Sequence, residues 1–279
     1  MSAVAAGTVA EALAAAREAL AAAGVGSPRL DAELLLAEAS GRDRLSLAAD
    51  PDAAIGPGAA RAFGALVRRR LRREPVAYIL GRKHFRRIEL AVDPRVLIPR
   101  PETELLVEVA VELAPRSVLD VGTGSGAVAL AVADELPGVA VKGVDASAAA
   151  IAVAEANAQR LGLGAEFAVA DATSRRYATT TRMWDLVLAN LPYVTESEWR
   201  TLEPEIRLYE PREALVGGPD GLDAIRGLLA APPPCQAVAL EVGFGQAAAV
   251  AGLVADAGFS RVERRPDLAG VERVVLGRR

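Results

Sequence analysis

Apolar and polar positions change their period partway along the chain. Residues 1–75 read as helical. Thr8-Val-Ala-Glu11 is a capping-box pattern, and Gly24 ends the helix it opens. Ser27-Pro28 starts a second helix with proline at its first position, and Leu30, Leu34, Leu35 and Ala37 form its apolar face. Asp50 to Gly58 is a connection. A third helix follows with Phe63, Leu66, Val67 and Leu71 predicted inward. From Ser117 the pattern alternates short apolar runs with helical stretches, placing strands at 117–121, 139–144, 166–170, 184–189, 236–242, 259–264 and 271–276. That alternation predicts an α/β fold with a mostly parallel sheet covered on both faces. Between the two regions, 85–92 and 95–98 read as a β-hairpin turning at Asp93-Pro94. Pro101 opens a helix reaching about Leu113. The predicted organisation is a helical domain over 1–75, a β-hairpin linker over 76–100 and an α/β domain over 101–279.

Composition narrows the chemistry. One cysteine and one histidine among 279 residues exclude an internal disulfide, a Cys-cluster zinc site and a multi-His metal centre, so no metal is expected. No run reaches the roughly 18 apolar residues of a membrane span, and early charges (Glu11, Arg17, Glu18) do not suit a signal peptide. These features predict a cytoplasmic protein with no membrane association. A net charge of −4 and a pI near 5.3 argue against a broad nucleic-acid surface. The strongest basic feature is local: Arg61, Arg68, Arg69, Arg70, Arg72 and Arg73 on the far face of the third helix. It reads either as a solvated face or as a docking surface for an acidic or RNA-associated partner.

The stretch Val118-Leu-Asp-Val-Gly-Thr-Gly-Ser-Gly126 is a strand, a tight glycine turn and a helix start. Such a turn lets a nucleotide-type ligand approach the main chain. Its G-x-G-x-G spacing is not the dinucleotide G-x-G-x-x-G, and no Lys-Ser/Thr pair follows for a phosphate loop. Asp120 inside the turn suits a cationic ligand, such as the sulfonium nucleoside S-adenosylmethionine. Ligands of parallel sheets bind at strand carboxyl ends. There Asp145, about 20 residues past the turn, can accept ribose hydroxyls, and Asp171 can accept an adenine amino group; each also fits a helix N-cap. The fourth strand exits through Asn190-Leu-Pro-Tyr193, which sets an amide and an aromatic face beside the same cleft.

The motifs at 120–126, 144–147 and 190–193 resemble those of the class I, seven-stranded S-adenosylmethionine-dependent methyltransferases. Further stretches make the likeness narrower: Glu74-Pro-Val-Ala-Tyr-Ile-Leu-Gly81, Leu97-Ile-Pro-Arg-Pro-Glu-Thr-Glu104, Tyr209-Glu-Pro-Arg-Glu-Ala-Leu-Val-Gly-Gly218, Asp220-Gly-Leu-Asp223, Leu240-Glu-Val-Gly243 and Asp267-Leu-Ala-Gly270. With them the chain is similar to the bacterial release-factor glutamine methyltransferases from about residue 74 to its end, and a helical N-terminal domain also fits that family. The resemblance implies methyl transfer from S-adenosyl-L-methionine, giving S-adenosyl-L-homocysteine, to the Gly-Gly-Gln glutamine amide nitrogen of class I peptide chain release factors. It also implies that the helical domain docks that partner. Gly122, Thr123, Gly124, Ser125, Gly126, Asp145, Asp171, Ala172 and Asn190 would hold the cofactor. Asn190, Leu191, Pro192 and Tyr193 would hold the substrate and carry catalysis, with the Asn190 side-chain carbonyl and the Leu191 main-chain carbonyl accepting the two amide hydrogens. A monomer without stable nucleic-acid binding is expected.

Two positions depart from the family pattern. Leu191 stands where proline is usual, and Ala172 where an aromatic is frequent, so adenine stacking is expected from Phe85 or the 97–104 loop. The second reading is an adenine-amino methyltransferase acting on DNA or RNA, which must flip its base and needs a basic binding surface. The third is a non-enzymatic helical adaptor, which the intact Gly122, Gly124, Gly126, Asp145 and Asn190 argue against.

Overall fold

The computed structural model describes residues 7–171 and 182–279. They divide into two compact units: the chain up to Gly81 together with Pro204–Tyr209, and Arg82–Glu203 with Glu210–Arg279.

In the first unit the helices Val9–Ala22, Pro28–Ser40 and Pro57–Leu71 close over Leu20, Leu35, Leu36, Leu47 and Phe63. The Thr8 hydroxyl accepts from Glu11 N and the Glu11 carboxylate accepts from Thr8 N, completing the capping box. The arginine run is not one solvated face. Arg70 is only 5% exposed: its Nε donates to Asp31 at 2.6 Å and its Nη2 to Glu205 at 2.7 Å. Arg73 holds the other Glu205 oxygen at 2.6 Å, and Arg69 pairs with Glu74. Leu71, predicted inward, is exposed. Arg70 takes the inward place because Asp31 and Glu205 make a buried guanidinium affordable, whereas an unpaired one would cost several kcal/mol.

In the second unit, β3 (Ser117–Val121), β4 (Ala140–Asp145), β5 (Ala165–Val169), β6 (Trp184–Ala189) and β7 (Cys235–Glu241) are parallel. β8 (Arg261–Pro266) and β9 (Glu272–Arg278) close one edge as an antiparallel pair. The order β5-β4-β3-β6-β7-β9-β8 is the seven-stranded methyltransferase sheet that the sequence predicts. β3 lies between β4 and β6, so the strand order reverses there, at the carboxyl ends where such sheets bind ligands. Val118, Leu119, Leu186, Val187, Leu188, Val238 and Ala239 are buried at its centre, as strands covered on both faces require.

The hairpin differs from its predicted form. β1 (Arg82–Phe85) pairs with β2 (Ile88–Ala91) across Arg86-Arg87, not across Asp93-Pro94. Arg86 takes a left-handed φ of 51°. Its N–H donates to Glu104 at 3.0 Å, and its guanidinium holds Glu135 at 2.7 and 2.9 Å and Glu108 at 3.0 Å. Asp93 instead closes a small turn with the N–H and side chain of Arg95, and 95–98 is not a strand although Val96 and Ile98 are buried. None of the helices among the described residues is long and apolar enough to cross a membrane.

Candidate active site

The glycine turn caps β3 against β4. Gly122 N and Thr123 N both donate to Val144 O, at 2.9 and 3.0 Å, and Gly126 N returns to Thr123 O at 2.8 Å. Gly122 has φ 75°, and a Cβ there would sit 3.3 Å from Asn190 O and from the Leu191 side chain. The turn therefore needs glycine both for its backbone angle and for the close passage of the β6 exit. At Gly124 a Cβ would meet nothing within 4 Å, and this residue lines an open cavity.

That cavity holds about 490 Å3, within the range of small-molecule sites. Gly122, Gly124, Asp145, Asp171, Asn190, Leu191 and Pro192 all line it. Asp145 is braced at both oxygens: Oδ2 accepts from Gly124 N at 3.0 Å and Oδ1 from Ser147 N at 2.9 Å. The N-cap of the following helix is Ser147, whose hydroxyl accepts from Ala150 N. Asp145 is thus free of the capping role that competed for it. Each of its oxygens retains acceptor capacity toward the cavity.

Thr123, Ser125, Gly126 and Tyr193 are not among the described residues lining the cavity. The first two are buried beneath the turn: Thr123 Oγ1 donates to Asp120 at 2.7 Å, and Ser125 O accepts from Asn157 Nδ2 at 2.9 Å. A Cβ at Gly126 would lie 3.0 Å from Leu130 and 3.3 Å from Ala154, so this glycine seats the turn on its helices. Ala172 lies outside the described residues. Phe85, offered for stacking, is buried in the hairpin. From the 97–104 loop Leu97 reaches the cavity, beside Arg95 and Val96.

Asp120 corrects the expectation of a ligand-facing carboxylate. It sits one residue before the end of β3, 2% exposed, and its Oδ2 accepts from Thr123 Oγ1 and from Ala129 N at 3.2 Å. Burial lifts it to about 6; those two hydrogen bonds oppose the rise and the Asp145 charge adds to it. It braces the turn from inside.

The β6 exit is held from three directions. Asn190 Nδ2 donates to Thr103 Oγ1 at 3.0 Å, which leaves Oδ1 able to accept and one Nδ2 hydrogen still to place. The Leu191 side chain is 5% exposed and packs with Leu222, Ile225 and Val242, so the departure from proline is accommodated by the core. Tyr193 turns its hydroxyl to Glu241 Oε1 at 3.2 Å, and its main-chain carbonyl accepts from Gln246 Nε2 at 2.9 Å. Gly221, φ 78°, passes so close that a Cβ would lie 2.1 Å from Tyr193 O. Burial raises the Tyr193 hydroxyl well above its ordinary value, and the Glu241 charge adds to this. Burial likewise lifts Glu241 to about 7 against the Thr103 and Tyr193 hydroxyls, which favour its charged form.

The stretches 97–104 and 209–218 meet here. Glu210, buried, accepts from Ile98 N at 3.1 Å and from Arg100 at 2.6 Å, while Val216, Gly217 and Gly218 wall the cavity. Sequence reading flagged these stretches but assigned no role to Thr103, Glu210 or Glu241, because nothing local marks which side chains meet when their partners lie 48 to 112 positions away.

Glycine approach, a braced acidic residue and a cavity at the sheet's switch point fit a cationic nucleoside. Comparison with known proteins agrees. Residues 11–81 match the family described as PrmC N-terminal domain, and 101–206 that described as Methyltransferase small domain. The hMettl16 catalytic domain, solved in complex with the MAT2A 3'UTR hairpin 6, aligns with a TM-score of 0.53 at 12% identity over 68% of this chain and 74% of its own, a likeness of fold alone. The release factor glutamine methyltransferase of Caulobacter vibrioides is 41% identical over 97% of this chain and 96% of its own. That of Geobacter sulfurreducens is 41% identical over 91% of each chain. With matches of that extent, the chain belongs to the release factor glutamine methyltransferase family.

Proposed function

We propose that the protein transfers a methyl group from S-adenosyl-L-methionine to the side-chain amide nitrogen of the glutamine in the Gly-Gly-Gln motif of class I peptide chain release factors. The observation that carries this reading is the pairing of Asn190 and Asp145 in one cavity at the point where the strand order reverses. One group suits a planar amide and the other a ribose.

When bound, the donor supplies an electrophilic methyl on a sulfonium. Gly122 and Gly124 let it approach the main chain, Asp145 accepts from its ribose hydroxyls, and Asp171 accepts from its adenine amino group. Thr123, Ser125 and Gly126 support the turn from below. An amide nitrogen is a weak nucleophile because its lone pair is delocalised. The chain compensates by aiming it. Asn190 Oδ1 and the Leu191 main-chain carbonyl accept its two hydrogens, so negative dipoles face the positive charge that grows on nitrogen. The nitrogen gains the methyl as the methyl–sulfur bond breaks, so that S-adenosyl-L-homocysteine leaves, and it gives up one proton to water. Pro192 stiffens the exit, and Tyr193, held by Glu241 and Gln246, packs on the amide plane.

The helical residues 1–75 serve release-factor docking, 76–100 act as the linker, and 101–279 form the catalytic domain. The working state is a cytoplasmic monomer with no stable nucleic-acid binding.

The test incubates the protein with methyl-labelled S-adenosylmethionine and either a release factor or DNA. Label on the glutamine of the Gly-Gly-Gln peptide, located by mass spectrometry, is expected. Label on DNA alone overturns the reading in favour of an adenine-amino methyltransferase.

A further inference from the structure

Phe244 follows the carboxyl end of β7 and is 82% exposed, the one exposed ring among the chain's five phenylalanines. It does not line the cavity. A single exposed apolar side chain means little, but the backbone beneath this one is braced. Gly243 N donates to Gln246 Oε1 at 2.9 Å, and Gly245 takes a left-handed φ of 78°. The same Gln246 side chain donates to Tyr193 O at 2.9 Å and to Asp220 O at 3.3 Å. A Cβ at Gly243 would lie 3.1 Å from the Tyr193 ring and 2.9 Å from Gln246 Oε1, so glycine there lets both close in. Phe244 thus stands on a turn fastened to the β6 exit.

A second exposed apolar side chain leaves the sheet alongside. β9 runs antiparallel to β7, and Val242 N donates to Arg273 O at 2.9 Å, so the turn joining β8 to β9 lies at the same end of the sheet as the β7 exit. Asp267 closes that turn. Its N–H donates to Val271 O at 2.8 Å, its Oδ1 accepts from Ala269 N and Val271 N, both at 2.9 Å, and its Oδ2 accepts from Arg273 Nε at 3.2 Å. Leu268, within this turn, is fully exposed and also lies outside the cavity lining.

We propose that Phe244 and Leu268 are apolar anchors for the protein substrate, seating the chain that flanks the target glutamine as its side chain enters the cavity. The inference rests on the reading above, in which the methyl acceptor is a glutamine of a release factor.

Size and continuity select that occupant. A cavity of about 490 Å3 suits a small-molecule donor and one side chain. A protein that inserts one glutamine leaves its neighbouring residues outside, on the rim beyond the strand ends. Gln246 makes the Phe244 turn continuous with the Asn190–Tyr193 segment that receives the glutamine. Protein interfaces draw their affinity from a few apolar and aromatic anchors. Anchors on braced turns lose little conformational freedom when a partner covers them.

The experiment measures kcat and KM with an unmethylated class I release factor and methyl-labelled S-adenosylmethionine. Cofactor affinity is taken by calorimetry, stability by thermal melts and oligomeric state by light scattering. The variants are Phe244→Ser, Phe244→Trp and Leu268→Ser. Met183→Ser is the control, because Met183 is also exposed but precedes β6 at the opposite end of the sheet. Phe244→Ser is expected to raise KM about 10-fold and Leu268→Ser about 3- to 10-fold. Neither should alter kcat, cofactor affinity or melting temperature, the pattern of binding lost equally from ground and transition states. Phe244→Trp, which keeps an aromatic anchor, and Met183→Ser should match the wild type. An unchanged KM in either serine variant overturns the inference. So does a loss of cofactor affinity, which would make these turns part of the donor site, or a fall in kcat alone, which would make Phe244 a support for Tyr193. A wild-type dimer that Phe244→Ser separates would give the surface to a second copy of this chain and overturns it equally. In each of these cases wild-type labelling leaves the proposed function standing. A wild type that does not label release factor overturns both.

Discussion

Asn157 Nδ2 donates to the main-chain carbonyl of Ser125 at 2.9 Å, tying the helix Ala148–Leu161 to the underside of the glycine turn. The same side chain, 0% exposed, bonds both backbone groups of Ala91 in the hairpin, accepting from its N–H at 2.7 Å and donating to its carbonyl at 3.0 Å. One amide thus joins the hairpin, the helix and the ligand turn. Asn157→Leu keeps the branching and the number of side-chain heavy atoms but leaves three backbone groups without partners. A buried unpaired polar group costs about 1–3 kcal/mol, so urea unfolding is expected to show a loss of about 3 kcal/mol. Because the turn is released, cofactor affinity should fall as well. A variant as stable as the wild type would show that the three bonds contribute nothing net.

Asp120 gives a defined pH dependence. Its folded value, about 6, lies above the ordinary 3.8, so between these values the folded state holds a proton that the unfolded chain has released. Its stabilisation is complete below about 4 and is lost as pH rises through about 6. The span corresponds to on the order of 3 kcal/mol. Asp120→Asn should flatten this part of the stability curve, leaving the decline of Glu241 between 4.5 and about 7. Denaturation midpoints taken from pH 4 to 8 on both proteins check it. An unchanged slope in the variant would assign the dependence elsewhere.

Asn190→Ala removes the side-chain carbonyl offered to the substrate while leaving Gly122, Gly124 and Asp145 in place. Transfer is expected to fall at least about 100-fold in kcat, as when a preorganised dipole at a reacting centre is deleted. Cofactor binding by calorimetry should stay within a few-fold. Equal loss of binding and turnover would mean that Asn190 holds the donor instead.

In the helical unit, Glu205 accepts from Arg70 at 2.7 Å and from Arg73 at 2.6 and 2.8 Å. Removing one partner of a buried ion pair strands the other, at about 3–5 kcal/mol. Arg73 is partly solvated, so Glu205→Ala should lie at the lower end. By contrast, charge reversal at the exposed Arg61 or Arg68 should change stability by less than about 0.5 kcal/mol. Thermal melts of the three variants separate a structural glutamate from a solvated arginine face.

The comparison of sequence with structure divides along the range of the interactions. Strand positions were legible to within one or two residues; the central strands β3, β6 and β7 are buried on both faces and so largely apolar, whereas the edge strands β5 and β8 carry polar residues and are bounded by turns. The glycine turn and Ser27-Pro28 were legible because backbone geometry there depends on local residues. The hairpin turn at Arg86-Arg87 was not legible. No turn-forming residue marks it, and its left-handed arginine is held by Glu104, Glu108 and Glu135, 18 to 49 positions away. Arg70 was misread for the same reason: its partners Asp31 and Glu205 are 39 and 135 positions distant.

By itself the sequence determined the period of every sheet strand, the turn that a ligand can approach, and the identity of the chemical groups at the strand ends. These follow from side-chain hydrophobicity and backbone freedom, which are properties of short stretches. Only the tertiary structure decided which of those groups share a cavity and which carry the others. Asp145 and Asn190 face the same space, whereas Asp120 is turned inward to brace the loop. Thr103 and Glu241 stand behind Asn190 and Tyr193. A hydrogen bond senses distance and direction in space, and the strand order brings together residues that lie far apart along the chain.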